Sequence, residues 1–411
     1  MNRFKKTVKI IVLIVVLVLV AGWLYSKSLY PIYKGELSLA NISDKVTVFF
    51  DDYGVPHINA KNQKDGYTAL GYVHAQDRLW QMELIRRIAP GRLSEVFGEK
   101  LIESDVFFAG LGLVENAEKH IANLDVNSEA YIYTMAYLEG INQFVENGPT
   151  PIEYKLIGFE KTKFTIKDVY HVYGYMSFSF AIAHKTDPLL QEIKEKLGDE
   201  YLTELGIPIN QNTAILKNEK NPVLRASFAK AMSAIFEKLP ISPFIGSNSW
   251  VIGAEKTKNG KVIFANDPHI GFSQPSVWYQ SHIKTPDYEM YGYNLALTPF
   301  PLLGHNRNYA YGLTMFTNDD IDFYIEKNNP GNPSEYQTSE GFSPYEIVKK
   351  IIKIKGLPDS TFTVKISKHG PIMNHLMKDH RQYAHSPTLF FDISSCAEIL
   401  FTCLSFSLGR Y

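Results

Sequence analysis

The first change of pattern along the chain is abrupt: Arg3, Lys5, Lys6 and Lys9 give way to an unbroken apolar run from Ile10 to Trp23, rich in Val, Leu and Ile. Basic residues ahead of such a run predict an export signal or a membrane anchor; the run falls short of the roughly 20 residues of a comfortable span, as signal peptides do. Ala21-Gly22 leads straight into Trp23, Leu24 and Tyr25 without a clear small-x-small cleavage site. Aromatics of that kind suit a membrane interface, so the pattern favours an uncleaved anchor with the body on the side away from the basic end. After a linker from Pro31 to Ser43, the alternation Val46, Val48, Phe50 predicts a strand that ends at Asp51-Asp52-Tyr53-Gly54, with a second strand over Val55 to Ile58. From Asp65 to Ile88 the apolar positions, among them Leu70, Val73, Leu84 and Ile88, recur at helical spacing until Pro90-Gly91 stops them.

Between Glu115 and Glu204 the chain reads as helical, broken at Gly148-Pro149-Thr150-Pro151. A stretch from Lys217 to Ile245, polar at its start and proline-rich at its end, reads as a spacer whose middle, Leu224 to Leu239, suits an amphipathic helix. Behind it the period changes to that of strands. Ser249 to Ala254 and Lys261 to Ala265 flank Thr257-Lys258-Asn259-Gly260, and Asn-Gly between alternating segments predicts a hairpin. Helices followed by strands make the fold class α+β.

Composition narrows the function classes. At 411 residues, 45% hydrophobic and 21% charged, the chain is globular and longer than one typical domain. Its formal charge of -1 comes without a basic block, which leaves no electrostatic footprint for nucleic acid. The helical cluster His74, Asp77, Arg78 and Gln81 reads as structural, in the manner of most charge clusters on helices.

The candidate chemistry lies at Ile245-Gly246-Ser247-Asn248-Ser249-Trp250. Gly246 leaves its carbonyl unshielded, and Ser247 carries a hydroxyl that can attack it. Cleavage of Gly246-Ser247 would make Ser247 a new N-terminus with its own base, an α-amine of pKa about 7.7–8.0. No Gly-x-Ser-x-Gly elbow surrounds Ser247, and no HExxH or CxxC motif offers metal chemistry.

Gly246-Ser247-Asn248-Ser249-Trp250-Val251-Ile252, then Asn259-Gly260-Lys261 and Ala265-Asn266-Asp267-Pro268-His269, resemble the start of the β chain in the penicillin acylase family of N-terminal-nucleophile (Ntn) hydrolases. Val55-Pro56-His57-Ile58, Ala75-Gln76-Asp77-Arg78-Leu79-Trp80-Gln81-Met82-Glu83 and Gly91-Arg92-Leu93-Ser94-Glu95 resemble the opening of that family's α chain. The resemblance extends from about Pro31 to Pro371. It implies a mainly helical α portion joined to part of a four-layer αββα core, and an amide hydrolase acting on β-lactam side chains or N-acyl homoserine lactones. It implies that Ser247 is the nucleophile, that the Met315 N–H is half of an oxyanion hole, that His269 touches the nucleophile region and that Phe180 lines the acyl pocket. It further implies a structural Ca²⁺ held by Asp319, the Ile321 carbonyl and Asp322, with Asp187 near an α-chain ligand position. The implied partners are a small amide substrate, the α and β fragments of one precursor, and a membrane through the N-terminal segment.

On this reading the chain divides into an anchor or signal (1–28), an α-like portion (29–216), a spacer ending at the cut (217–246), the start of the β core (247–376) and an aberrant tail (377–411). Cys396 and Cys403 are confined to that tail, which suggests a chance reading frame more than a designed disulfide. A chain ending so early in the β portion is expected to be truncated, and the alternative to an active acylase is an inactive, membrane-anchored remnant.

Overall fold

The structure, a computed structural model, describes residues 2–180, 189–190, 193–194, 196–207, 234–240, 244–314 and 326–373. Asp187, Met315, Asp319, Ile321, Asp322, the side chain of Phe180, most of the spacer and the tail lie outside the described residues.

Helix α1 (Asn2–Ser28) extends beyond the apolar run at both ends; Phe4–Ser28 is long and apolar enough to cross a membrane, with mean hydropathy 2.8. The body begins with antiparallel strands β1 (Thr47–Phe50) and β2 (Pro56–Asn59). Their turn is fixed by the Asp51 carboxylate, which accepts from the Tyr53 and Val55 amides at 2.9 Å each. Helix α2 (Gln63–Ile88) starts where the Asn62 side chain accepts from the Asp65 amide, satisfying one of the orphan donors of the first turn. Short α3 (Ser94–Phe97) is followed by α4 (Ile102–Gly110), α5 (Leu113–Ala122) and α6 (Glu129–Asn147), the last ending at Gly148 as its sequence predicts. Then come α7 (Ile152–Ile157), α8 (Ile166–Phe180) and α9 (Asp199–Glu204).

Beyond the spacer the described chain is mostly strand: β3 (Phe244–Ile252), β4 (Ile263–Ile270), β5 (Trp278–Lys284), β6 (Glu289–Leu295), β7 (Leu303–His305) and β8 (Ala310–Tyr311), then β9 (Asn328–Asn329), β10 (Asn332–Thr338), β11 (Gly341–Pro344), β12 (Glu346–Ile352), β13 (Ser360–Ser367) and β14 (Gly370–Pro371). A six-stranded sheet has the order β1-β2-β5-β6-β7-β8, in which β2, ahead of the spacer, pairs in parallel with β5, behind it. Its inner face, with Ile58, Tyr279 and Ile283, packs on α2, and α2 packs in turn on α6 and α8. The α+β class is therefore observed as one helical layer on one sheet. Strands β3 and β4 form a separate two-stranded ribbon, and β9–β11 and β12–β14 form three-stranded sheets.

Two glycines set the central crossing. A Cβ on Gly71 of α2 would lie 1.9 Å from the Tyr137 carbonyl oxygen, and one on Gly140 of α6 would lie 1.9 Å from that of Thr68. The backbones approach more closely than any side chain permits. Lower on α2, fully buried Glu83 accepts from Arg86 and, at 2.6 Å, from Arg87 Nε. Arg87 also reaches Glu95 of α3, so the ion group fastens α2 to the turn that follows it. Asp105 of α4 closes the same turn by accepting from the Leu93 and Ser94 amides at 2.8 and 2.6 Å.

The cluster on α2 is structural. His74 stacks on Tyr279 at 4.0 Å, Asp77 accepts from Tyr33 and Tyr279 at 2.9 Å each, and Arg78 and Gln81 both donate to the Ser276 carbonyl. At Arg78 the backbone leaves helical geometry (φ -135°, ψ 16°), and the kink aims that guanidinium at the 273–277 loop.

Candidate active site

The ribbon carries the candidate nucleophile. In β3 and β4 the pairs Gly246 with His269, Ser247 with Pro268 and Asn248 with Asp267 stand opposite one another, and the ladder closes at Ile252 with Ile263. The predicted hairpin is present, but its strands are longer and its turn is wider than Asn-Gly alone dictates. Ala254 lies in a single 3₁₀ turn (Ala254–Lys256), not in the strand, and Asn259-Gly260 makes a tight bend inside the connection, with Gly260 at φ +67°. A register shift between Phe244 and Gly246 falls immediately before the Gly246-Ser247 bond. Bulges of this kind interrupt the ladder and re-aim the following side chain.

Half-buried Ser247 is gripped from across the site. Its Oγ donates to Thr314 Oγ1 at 3.0 Å, and the Thr314 hydroxyl donates to the Ser247 carbonyl at 3.3 Å. Asn266 ties the ribbon to the same segment: its Nδ2 donates to the Asn248 carbonyl at 3.1 Å and to the Leu313 carbonyl at 3.0 Å. Gly312 makes that approach possible, because a Cβ there would stand 2.3 Å from Asn266 Oδ1. The segment 312–314 is thus held against the nucleophile by one side chain of β4 and one hydroxyl pair.

His269 lies against the bond from the other strand. Its Nδ1 stands 3.4 Å from the place a Gly246 Cβ would occupy, an ordinary contact distance. Its Nε2 is 3.0 Å from Asp267 Oδ2 and 3.3 Å from Asn248 Nδ2. Nε2 thus faces one acceptor, the Asp267 carboxylate, and one donor, the Asn248 amide, while Nδ1 lies on the Gly246 side.

Of the residues singled out from sequence, the structure brings together Gly246, Ser247 and His269. Met315 directly follows Thr314 but is outside the described residues, as are Asp319, Ile321, Asp322 and Asp187. Among the described residues, no group of three or more His, Cys, Asp and Glu is arranged to hold a metal ion. Phe180 ends α8, a helix that contacts β3. Sequence reasoning missed Thr314 and Asn266. Thr314 stands directly before Met315 and Asn266 three residues before His269, and only the fold brings the 312–314 segment against the ribbon.

The model of one family, penicillin amidase, matches residues 45–398. The chain belongs to the penicillin amidase family. The match runs past Pro371, where the motif-based resemblance ends, into the segment from 377 onward that is expected to be aberrant. Curated relatives agree. Penicillin acylase 2 proenzyme of Pseudomonas sp. (strain SE83) is 30% identical over 362 residues, covering 84% of this chain and 45% of that protein. Acyl-homoserine lactone acylase QuiP of Pseudomonas aeruginosa is 27% identical, covering 88% and 44%; penicillin G acylase of Escherichia coli is 24% identical, covering 84% and 47%. The chain spans about half the length of these relatives. Among solved structures, thermostable penicillin G acylase from Alcaligenes faecalis overlaps 41% of this chain and 29% of that one at TM-score 0.35 and 24% identity, too little to bear on the fold.

Proposed function

We propose that this member of the penicillin amidase family is an amide hydrolase whose nucleophile is Ser247, exposed by cleavage of its own Gly246-Ser247 bond. The observation that carries the reading is the grip on Ser247: its Oγ bonded to Thr314 at 3.0 Å and, across the ribbon, His269 against Gly246. In the self-cleavage, Oγ bonds to the Gly246 carbonyl carbon and the C–N bond to Ser247 breaks. His269, whose Nδ1 lies on the Gly246 side, is assigned to carry the Oγ proton to the departing nitrogen. That break frees the Ser247 amine, and water then hydrolyses the resulting ester, releasing the Gly246 carboxylate and restoring the Ser247 hydroxyl.

Turnover repeats the chemistry on a substrate. The Ser247 amine takes the Oγ proton, Oγ bonds to the substrate's amide carbon, the leaving amine departs with a proton, and water releases the acid. The Met315 N–H is assigned to the oxyanion, a role in which one donor is worth on the order of 10²–10³ in rate. Phe180 is assigned to the acyl pocket, on the resemblance and on the position of α8 beside β3. The substrate class, an acyl side chain on a β-lactam or on a homoserine lactone, rests on the names of the relatives, a penicillin acylase and an acyl-homoserine lactone acylase. Asp319, the Ile321 carbonyl, Asp322 and Asp187 form an all-oxygen donor set of the kind a hard cation such as Ca²⁺ takes, and the bound ion would brace the stretch after Met315. The sheet and helical layer are proposed to be part of a four-layer αββα core. The ribbon's exposed Trp250, Val251 and Val262 (51, 63 and 62% exposed) are consistent with further strands covering it. Helix α1 is proposed as the export signal or membrane anchor.

The test is hydrolysis of phenylacetyl and N-acyl homoserine lactone amides by the processed chain. Release of the acid by wild type, with Ser247→Ala inert, supports the reading; a processed chain inert on every amide favours the remnant.

A further inference from the structure

A second cluster joins the parts of the chain that precede and follow Gly246. Cross-strand register sets Phe49, His57, His282, Tyr291 and His305 in one row over the half-buried outer face of the six-stranded sheet. Within it His57 Nδ1 and His282 Nδ1 stand 2.9 Å apart. The other nitrogen of each ring meets a carboxylate: His57 Nε2 lies 3.3 Å from Asp51 Oδ2, and His282 Nε2 lies 3.2 Å from Glu289 Oε1. Carboxylates accept, so both Nε2 atoms carry hydrogen. Two neutral rings so oriented would point lone pairs at each other across a hydrogen-bonding distance. One additional proton resolves the conflict.

We propose that His57 and His282 share a single extra proton, forming a charge-assisted bond that ties the segment before the cleavage site to the segment after it and is lost at alkaline pH. The fragment-joining role rests on the cut proposed above; the shared proton does not. The surrounding charges favour one proton and oppose two. Asp51 comes from the β1–β2 turn and Glu289 from β6, while Lys284 of β5 and Arg307, paired with Glu289 at 3.2 Å, add positive charge. Tyr291 and His305 complete the row on β6 and β7. Burial first, and then His57 and Lys284, hold His282 below the ordinary imidazole value, the Glu289 bond opposing them. The shared proton lies between the two Nδ1 atoms and belongs to the pair.

The test uses the full chain in detergent with ¹⁵N-labelled histidine, carrying Ser247→Ala so that no cut intervenes. Imidazole ¹⁵N shifts are followed from about pH 5 to 9, around the ordinary value of about 6.5. The expected result is one ring that stays charged well above that value and a partner that stays neutral well below it. In the processed wild type, fragment dissociation in mild denaturant is expected to quicken at least about fivefold, the worth of one modest hydrogen bond, once the shared proton is lost. His57→Asn, whose amide donates without charge, removes that pH dependence, whereas His57→Ala loses the tie at every pH. Independent titration of both rings near the ordinary value overturns the proposal. So does stabilisation by micromolar Zn²⁺ that a chelator reverses, which would put a metal where the proton is assigned. If no processed chain forms, the cleavage reading fails while the ¹⁵N titration still decides the proton.

Discussion

Thr314 shows how much can depend on one hydroxyl. It both receives the Ser247 Oγ proton's hydrogen bond and donates to the Ser247 carbonyl, so it fixes the rotamer from which Oγ must reach Gly246. Thr314→Val is expected to slow appearance of the cleaved fragments about tenfold, the worth of roughly one hydrogen bond in a barrier, with Thr314→Ser restoring it. A time course on denaturing gels checks this, and equal rates for Val and wild type would remove Thr314 from the account. Asp105 makes a different prediction. Burial pushes its carboxyl up to about 6 from 3.8, against the pull of the Ser94 and Leu93 amides. The native state thus holds this proton more tightly than the unfolded chain. The associated stability is complete below about pH 4 and is lost as pH rises through about 6, at most about 3 kcal/mol. In Asp105→Asn that dependence disappears, and the difference between the two denaturation midpoints across this range measures it.

At the scale of elements, the crossing of α2 and α6 depends on two absent side chains. Gly71→Ala or Gly140→Ala forces the helices apart and is expected to cost about 1–3 kcal/mol or more, read as a fall in Tm; an unchanged Tm would mean the crossing is looser than described. These glycines were invisible as contacts in the sequence, because a glycine in a helical pattern reads only as a weak helix former. The helix itself was legible. Periodicity from Asp65 to Ile88 predicted α2 nearly to its ends, and alternation located β1 and β2, since each element buries one face. The β3–β4 ribbon was legible as two strands, and the pairing of Gly246 with His269 follows from it. The kink at Arg78 and the parallel pairing of β2 with β5 were not, because both depend on partners some 200 residues away: the Ser276 carbonyl for the one, and strand β5 for the other. The same reason hid Thr314 and Asn266. Their chemistry is ordinary until the fold sets Thr314 against Ser247 and Asn266 between the Asn248 and Leu313 carbonyls.

Over the whole molecule, the segment before Gly246 and the segment after it share one core. Strand β2 lies between β1 and β5, and α2 packs under β5, so a cut at Gly246-Ser247 leaves two pieces interlocked by a sheet and by buried apolar surface. The fragments are expected to co-elute in native size exclusion and to separate only in denaturant; separation without denaturant would contradict this sharing of a core. The central claim is that the ribbon delivers Ser247 to its own preceding bond. Intact-mass spectrometry with N-terminal sequencing on purified wild type and Ser247→Ala tests it most directly. A wild-type fragment whose first residue is Ser247, missing from the variant, is the predicted result; one uncut chain in both samples would contradict it.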